Sequence, residues 1–485
     1  MPSATENDAA IVSRIAASLP TARWFADKGV AVERVVLHDR VSLPGTEPIV
    51  LAIAAVHLAG GDSPQSYAVV VGPDGADAAA TPQFARWLID TALTEHEVPG
   101  RAGGLVGHCV KHPEPAVDSL PMGTTTVAPI GGDASNSSFI VRCGSMAAVV
   151  KLLRRCRQGI HPEVEIGNFF ASQAPWQGVP RLRGWLEYAP THDTPDTHRT
   201  PAAAPPIVIA TVHEYAAGCT TAWDRLVGLL KTGGLAGGLA GAAGETAATL
   251  AAALGQATGH MHRALASRPD ITAFAPEPAT PANRQTAATR MVDHAADVFT
   301  LIASRLPRLK PAIAARLQGL QAAQSRLADR LGRFASLAIP IQNIRVHGDY
   351  HLGQVLVGEH DDRVLVIDFE GEPGRTLNER REKTSAAKDV AGMCRSFDYL
   401  LRHMAQTTGM PYAVADLQRL EASYLDAYRS IAEGHPWWPA DRHVADALVA
   451  VFKLDKAIYE LAYELNNRPD WIDVPLAAVE EAAAT

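Results

Sequence analysis

Apolar and polar positions repeat with two different periods along the chain, and the change of period divides it. Residues 9–19 place apolar side chains at helical spacing and predict a short amphipathic helix. Strand-like runs follow at 32–37, 48–58 and 66–71, and 84–93 reads as a helix. This front part is a small α+β unit that closes near a Gly/His-rich segment, 101–112. A second strand-rich stretch starts around Pro121. It holds a hairpin, 139–142 and 147–153, around a Cys143-Gly144-Ser145 turn, then strands at 182–188 and 207–213. The intervening 190–206 is rich in Thr, Asp, His and Pro and reads as an exposed loop. Pro162 stands where a helix starts, with Glu163 and Glu165 in its first turns.

Past Tyr215 the period becomes helical, at 222–230, 247–267, 284–306, 313–337, 389–406, 413–431 and 441–465. Pro307 and Pro311 interrupt the pattern, and Asn466-Asn467-Arg468-Pro469 stops the last helix. A Gly/Ala tract, 233–244, reads as a mobile loop. Apolar runs at 341–346, 355–357 and 364–367 interrupt the helices as strand-like segments. The expected organisation is therefore an α+β cap (1–112), a β-rich lobe (113–213) and a mainly helical lobe (214–485).

A chain of 485 residues supports two or three cores. With 47% hydrophobic and 20% charged residues it reads as globular. A net charge of −8 without a Lys/Arg stripe argues against a nucleic-acid partner. No apolar run reaches spanning length, which predicts no membrane association. Five scattered cysteines without a CxxC pair, and no basic-then-apolar leader, predict a cytoplasmic protein without a zinc site. A monomer is compatible with all of this, and the sequence leaves the oligomeric state open.

The chemistry concentrates in the interruption. His347-Gly348-Asp349-Tyr350-His351-Leu352-Gly353-Gln354 precedes one strand, and a second strand ends in Asp368-Phe369-Glu370. An Asp, an amide five residues later and a strand-end Asp are the parts that kinase-type phosphoryl transfer requires. Asp349 is expected to receive or orient the acceptor hydroxyl's proton. Gln354 and Asp368 are expected to hold Mg²⁺ through oxygen ligands. His351 is expected near the substrate, and His347 as a brace for the loop. Upstream, Lys151 on the second hairpin strand is a candidate for gripping ATP phosphates, with Glu165 as its orienting carboxylate. In the Gly131–Ser138 loop, Ser135, Ser137 and Ser138 are candidate phosphate donors, although the loop is neither GxGxxG nor Walker A. The Glu214-Tyr215 linker is positioned to present backbone groups to an adenine edge. On the last long helix, Lys456, Tyr459, Glu460 and Tyr463 fall at i, i+3, i+4 and i+7, a face suited to a small-molecule sugar or to half-buried packing. His260 and His262 point apart on their helix and read as structural. Trp437 and Trp438 read as a second sugar platform or as packing.

These residues resemble the aminoglycoside-phosphotransferase-like kinases, and within them the maltokinase branch. The resemblance rests on the 347–354 motif with Asp368-Phe369-Glu370-Gly371-Glu372-Pro373. It rests also on Arg23-Trp24-Phe25 with Lys28-Gly29, on Asp389-Val390-Ala391-Gly392-Met393 with Arg395-Ser396-Phe397-Asp398-Tyr399, and on Asp455-Lys456-Ala457-Ile458-Tyr459-Glu460 through Trp471. It implies a eukaryotic-protein-kinase-like two-lobed α+β fold with an N-terminal cap. It also implies an ATP/Mg²⁺ site between the lobes, and a sugar facing Lys456, Tyr459 and Tyr463. Two stretches depart from maltokinases: Arg375-Thr376-Leu377 replaces Arg-Pro-Leu, and Ser385-Ala386-Ala387-Lys388-Asp389 replaces Ser-Pro-Leu-Arg-Asp. These, with Arg381-Glu382-Lys383-Thr384-Ser385, are closer to the related glucosamine kinases. That implies transfer to the 6-hydroxyl of glucosamine, with maltose 1-phosphate formation as the alternative. It places Glu460 or Glu464 opposite the amine.

Overall fold

The computed structural model describes residues 8–484 apart from 26, 46–47, 62, 112–122, 132–134, 191–204, 233–238, 240, 338–340 and 410. Two compact units emerge. One comprises Met1–Pro175, Pro180–Ala217 and Thr376–Asn378; the other comprises Trp176–Val179, Gly218–Arg375 and Glu379–Thr485.

The first unit begins with α1 (Asp8–Ser18) and an antiparallel three-stranded sheet, β1 (Val32–Ser42), β2 (Val50–Leu58) and β3 (Gln65–Val71). Helix α2 (Pro82–Leu93) starts at Thr81, whose hydroxyl accepts the Phe84 N–H, with Pro82 at the first helical position. Next come β4 (Glu97–Pro99), β5 (Gly103–Cys109), β6 (Thr125–Pro129), β7 (Ser137–Cys143), β8 (Met146–Leu152), α3 (Pro162–Asn168), β9 (Leu182–Pro190) and β10 (Ile207–Glu214). The strands form a seven-stranded sheet in the order β4-β5-β9-β10-β8-β7-β6. Every neighbouring pair in it is antiparallel.

β2 is buried on both faces. Ala52, Ala54 and Val56 pack with Ile11 and Ile15 of α1, while Leu51 and Ile53 join a core with Phe84, Leu88, Val141 and Val150. Within residues 1–112, expected as an N-terminal cap subdomain, Leu51, Ile53, Phe84 and Leu88 share a core with β-rich residues, while Ile11, Ile15, Ala52 and Tyr67 belong to a second core. Strand β5 lies inside the large sheet between β4 and β9. The runs read as strands recur with longer limits, because pairing extends them past their apolar centres. β4 and β6 carry too few buried residues to show in the pattern.

The second unit continues with β11 (Cys219–Thr221), α4 (Ala222–Thr232), α5 (Gly241–Leu265), β12 (Glu277–Pro278), α6 (Pro281–Arg305), α7 (Pro311–Gln321), α8 (Gln324–Ser336) and β13 (Gln342–Asn343). Then follow β14 (Val355–Gly358), β15 (Val364–Val366), a short α9 (Leu377–Arg381), α10 (Ala387–Thr408), α11 (Val414–Ala432), α12 (Arg442–Asn467) and α13 (Asp473–Ala484). β14 and β15 form a hairpin, with β11 on the outer side of β14.

Three helical expectations change. The single helix at 313–337 is two, because α7 packs against α13 while α8 packs against α6. Part of the Gly/Ala tract is helical, since α5 starts at Gly241; residues 233–238 and 240 lie outside the described residues. Helix α13 follows the predicted stop. Among the described residues no helix is long and apolar enough to cross a membrane.

Candidate active site

In the first unit, Lys151 lies near the end of β8, paired in register with Ser138 of β7 and Thr211 of β10. Its ammonium is 3.5 Å from Glu163 of α3, and His213 of β10 approaches the other carboxylate oxygen of Glu163 at 3.2 Å. Glu163 is only 5% exposed. Burial would raise its pKa, but Lys151 and His213 more than offset this and hold it well below the carboxylate range. The sequence singled out Glu165 for this role. Residues two apart on a helix project to different sides, and the Glu163 carboxylate meets Lys151.

Ser137 also differs from its expected part. It is buried, and its hydroxyl accepts a hydrogen bond from Arg154 Nε at 2.9 Å. Ser135 is exposed and Ser138 half-buried, while 132–134 of the same loop lie outside the described residues. In the Glu214-Tyr215 linker, the Glu214 N–H donates to the Arg181 carbonyl (2.9 Å), and the Tyr215 carbonyl accepts from the Ala217 N–H (3.0 Å). The Glu214 carboxylate faces Arg181 and Arg183, and Arg142 lies over the Tyr215 ring.

In the second unit the 347–354 loop is laid along one face of α10. Asp389, Gly392 and Ser396, at i, i+3 and i+7, all touch it. Buried Asp389 accepts the backbone N–H groups of His347 (2.7 Å) and Gly348 (2.9 Å) and faces His262 Nε2 at 3.0 Å. Burial alone would raise the Asp389 pKa; His262 and these donors lower it instead. Gly392 lets the loop approach closely, since a Cβ there would lie 2.4 Å from the Tyr350 carbonyl oxygen. Ser396 Oγ accepts the Leu352 N–H at 3.1 Å. Gly348 adopts a φ of +89°, which favours glycine. His347 Nε2 bonds the Ile367 carbonyl oxygen (2.8 Å), and its ring lies against Tyr350 and Phe369. His347 therefore ties the loop to the strand end that carries Asp368. His262 is fully buried between Asp389 and Tyr428.

Asp368 has a left-handed φ of +69°, uncommon for a residue with a Cβ. Its Oδ2 accepts from Gln354 Nε2 at 2.6 Å. Asp368 and Glu370 each turn a carboxylate oxygen to within 4.8 Å of the other's. Sequence reasoning passed over Glu370, although its place two residues after Asp368 was visible. Arg380 ties this turn down through the carbonyls of Glu370, Pro373 and Arg375.

Asp349 meets Lys456 of α12, Nζ to Oδ1, at 2.7 Å. Burial would raise the Asp349 pKa; the ammonium, with His351 next, holds it well below the carboxylate range. Conversely, burial would lower Lys456, yet Asp349, Glu372 and Glu460 together raise it above its ordinary value. Lys456 also lies over the Tyr459 ring at 4.7 Å. His351 Nδ1 accepts the Gly353 N–H at 3.1 Å, and burial lowers its pKa.

The rest of the α12 face is divided. Tyr463 is 40% exposed, under the Arg468 guanidinium. Glu460 is bound by Arg395 at 2.6 Å, and Glu464 by Arg468 and the Tyr399 hydroxyl. Both glutamates are thus paired with arginines. Trp437 and Trp438 are buried and pack against Tyr428.

Residues 126–371, just over half of the chain, match the phosphotransferase enzyme family. The chain belongs to that family. Two curated relatives of this phosphotransferase are named glucosamine kinase. The one from Mycolicibacterium smegmatis is 30% identical over 361 residues, covering 72% of this chain and 78% of its own length. The one from Streptacidiphilus jiangxiensis is 31% identical over 362 residues, 72% of this chain and 73% of its own. The phosphotransferase also shares its fold with a solved glucosamine kinase in complex with glucosamine, ADP and inorganic phosphate. That similarity has a TM-score of 0.60 at 24% identity and covers 99% of both chains.

Proposed function

We propose that this phosphotransferase is an ATP- and Mg²⁺-dependent sugar kinase acting on the 6-hydroxyl of glucosamine. One observation carries the transfer chemistry: a half-buried carboxylate held in its ionised form, Asp349, sits on a loop fixed by α10 and is paired with an ammonium, Lys456. Phosphoryl transfer relies on positioning and charge neutralisation more than on a strong base. A carboxylate of low pKa suits this, because it orients the hydroxyl and takes its proton late. The choice of acceptor is supported by the two relatives named glucosamine kinase.

Asp368, Glu370 and the Gln354 amide oxygen form a donor set of hard oxygens, which fits Mg²⁺. The Gln354–Asp368 hydrogen bond already draws two of these residues together. Bound there, Mg²⁺ would neutralise charge on the nucleotide phosphates. Lys151, oriented by Glu163, is the candidate phosphate-gripping ammonium of the first unit.

A coupled ADP-release assay across glucosamine, glucose, maltose and an aminoglycoside tests the reading. Turnover with glucosamine is expected. Turnover with maltose alone would replace this reading by maltokinase activity, and turnover with none of the four would remove the sugar assignment.

A further inference from the structure

Arg154 follows the Lys151 strand by two residues and is 1% exposed. Among the described residues its guanidinium has three partners, and its Nη1 makes no hydrogen bond. It lies over the Trp24 ring at 4.5 Å, pairs with Asp77 through Nη2, and donates through Nε to Ser137 Oγ at 2.9 Å. The Trp24 indole N–H donates to the same Asp77 oxygen at 2.9 Å, so the seat is itself cross-linked. The backbone repeats the connection. Ala68 N–H donates to the Arg154 carbonyl (2.7 Å), Tyr67 and Arg155 form an antiparallel bridge, and Cys156 N–H donates to Ser66 (2.8 Å). The chain leaving Lys151 is thereby zipped onto β3 of the N-terminal sheet.

Ser137 is the first residue of β7, where the Gly/Ser-rich loop ends, and it pairs in register with Leu152, next to Lys151. One guanidinium therefore fixes both the loop's stem and the segment just beyond Lys151. Stability alone does not account for it. Asp77 keeps 35% of its side chain exposed, so solvent screens the pair and its net contribution to stability is small. A fork of fixed N–H directions adds geometry: it sets the angle between the groups it holds.

We propose that Arg154 is a positioning residue for the nucleotide-phosphate site, acting on the loop stem and on Lys151 from a seat built by Trp24 and Asp77. This rests on the reading of Lys151 and the described loop residues Ser135–Ser138 as that site. It gives the N-terminal residues a part in nucleotide binding although none of them is assigned to the ligand.

Calorimetric titration of the full chain with ADP and Mg²⁺ provides the test, since it needs no acceptor. Three variants are compared with the native protein: Arg154→Lys, which keeps the charge and loses the fork; Asp77→Asn; and Trp24→Phe, which keeps a ring and loses the indole N–H. ADP affinity is expected to fall about tenfold in Arg154→Lys and several-fold in the other two. The KM for ATP should rise in step, while the KM for the sugar changes less than about twofold. Thermal midpoints identify any variant that fails to fold, and Trp24→Phe, the mildest change, then carries the test. Native ADP affinity in folded variants, or equal rises in both KM values, would overturn the proposal. Absence of ADP binding by the native chain would instead overturn the nucleotide-site reading beneath it.

Discussion

Lys456 Nζ and Asp349 Oδ1 lie 2.7 Å apart, although 107 residues separate them in sequence. The pair sets the charge state of the carboxylate proposed to meet the acceptor. Asp349→Asn removes the proton acceptor while keeping the shape. It is expected to lower kcat by about 10²–10⁴-fold with little change in ADP affinity. Rapid-quench kinetics beside calorimetry would check this, and a kcat within twofold of native would remove Asp349 from the chemistry.

Lys456→Met separates two roles of the lysine. Without the ammonium, the burial that raises the Asp349 pKa is no longer outweighed by its main opponent. The folded pKa then climbs, so the acid limb of the kcat/KM profile moves to higher pH. Lys456→Arg should keep most of the native profile. An unshifted limb in Lys456→Met, with only a raised KM for the sugar, would reduce Lys456 to a substrate contact.

The Asp368 and Gln354 pair predicts how nucleotide binding depends on the cation. Asp368→Ala should bring the ADP affinity measured with Mg²⁺ close to that measured in EDTA, a loss of about tenfold or more. Gln354→Ala should act in the same direction and less strongly, since it removes a neutral ligand. Equal Mg²⁺ enhancement in native and Asp368→Ala protein would place the metal elsewhere.

Glu163 and Glu165 make opposite forecasts. Glu163→Gln removes the buried carboxylate beside Lys151 and should raise the KM for ATP about tenfold. Glu165→Gln should have an effect several times smaller. Reversal of that order, measured at saturating sugar, would restore Glu165 as the orienting group.

Acid stability isolates Glu372. Burial would raise its pKa, but Lys388, then Lys456 and Arg375, hold it at about 2 against an ordinary 4.5. A depressed folded pKa stabilises fully above the unfolded value and loses that contribution as pH falls through the folded value. The contribution, roughly 3 kcal/mol, should therefore disappear between about pH 4.5 and 2. Urea midpoints across that range should fall more steeply for the native protein than for Glu372→Gln. Parallel slopes would exclude Glu372 as the source.

The parts legible in sequence are those that lie close together in it. Asp349, Gln354 and Asp368 fall within twenty residues, and a hairpin between them leaves their order little freedom. Hidden parts depend on distant or angular facts. A two-residue offset on α3 decides which glutamate faces Lys151, and a proline-marked helix start does not resolve it. Helical spacing puts Lys456 and Glu460 on one face, yet Arg395 of α10 claims Glu460. Asp389 is 42 residues from His347 and 127 from His262, so no local pattern shows that one carboxylate holds both. The shared core of β2 is hidden for a related reason: both its faces are apolar, and a doubly buried strand does not reveal which element lies beyond it.

Gly392 offers a lesson for redesign. The 347–354 loop rests on a spot of α10 where an atom is missing, and a Cβ there would meet the Tyr350 carbonyl oxygen at 2.4 Å. The seat of the loop that carries Asp349 thus depends on a residue with no functional group to attract a mutagenesis screen. Libraries aimed at new acceptors should leave this α10 surface alone and vary exposed positions such as Tyr463 instead.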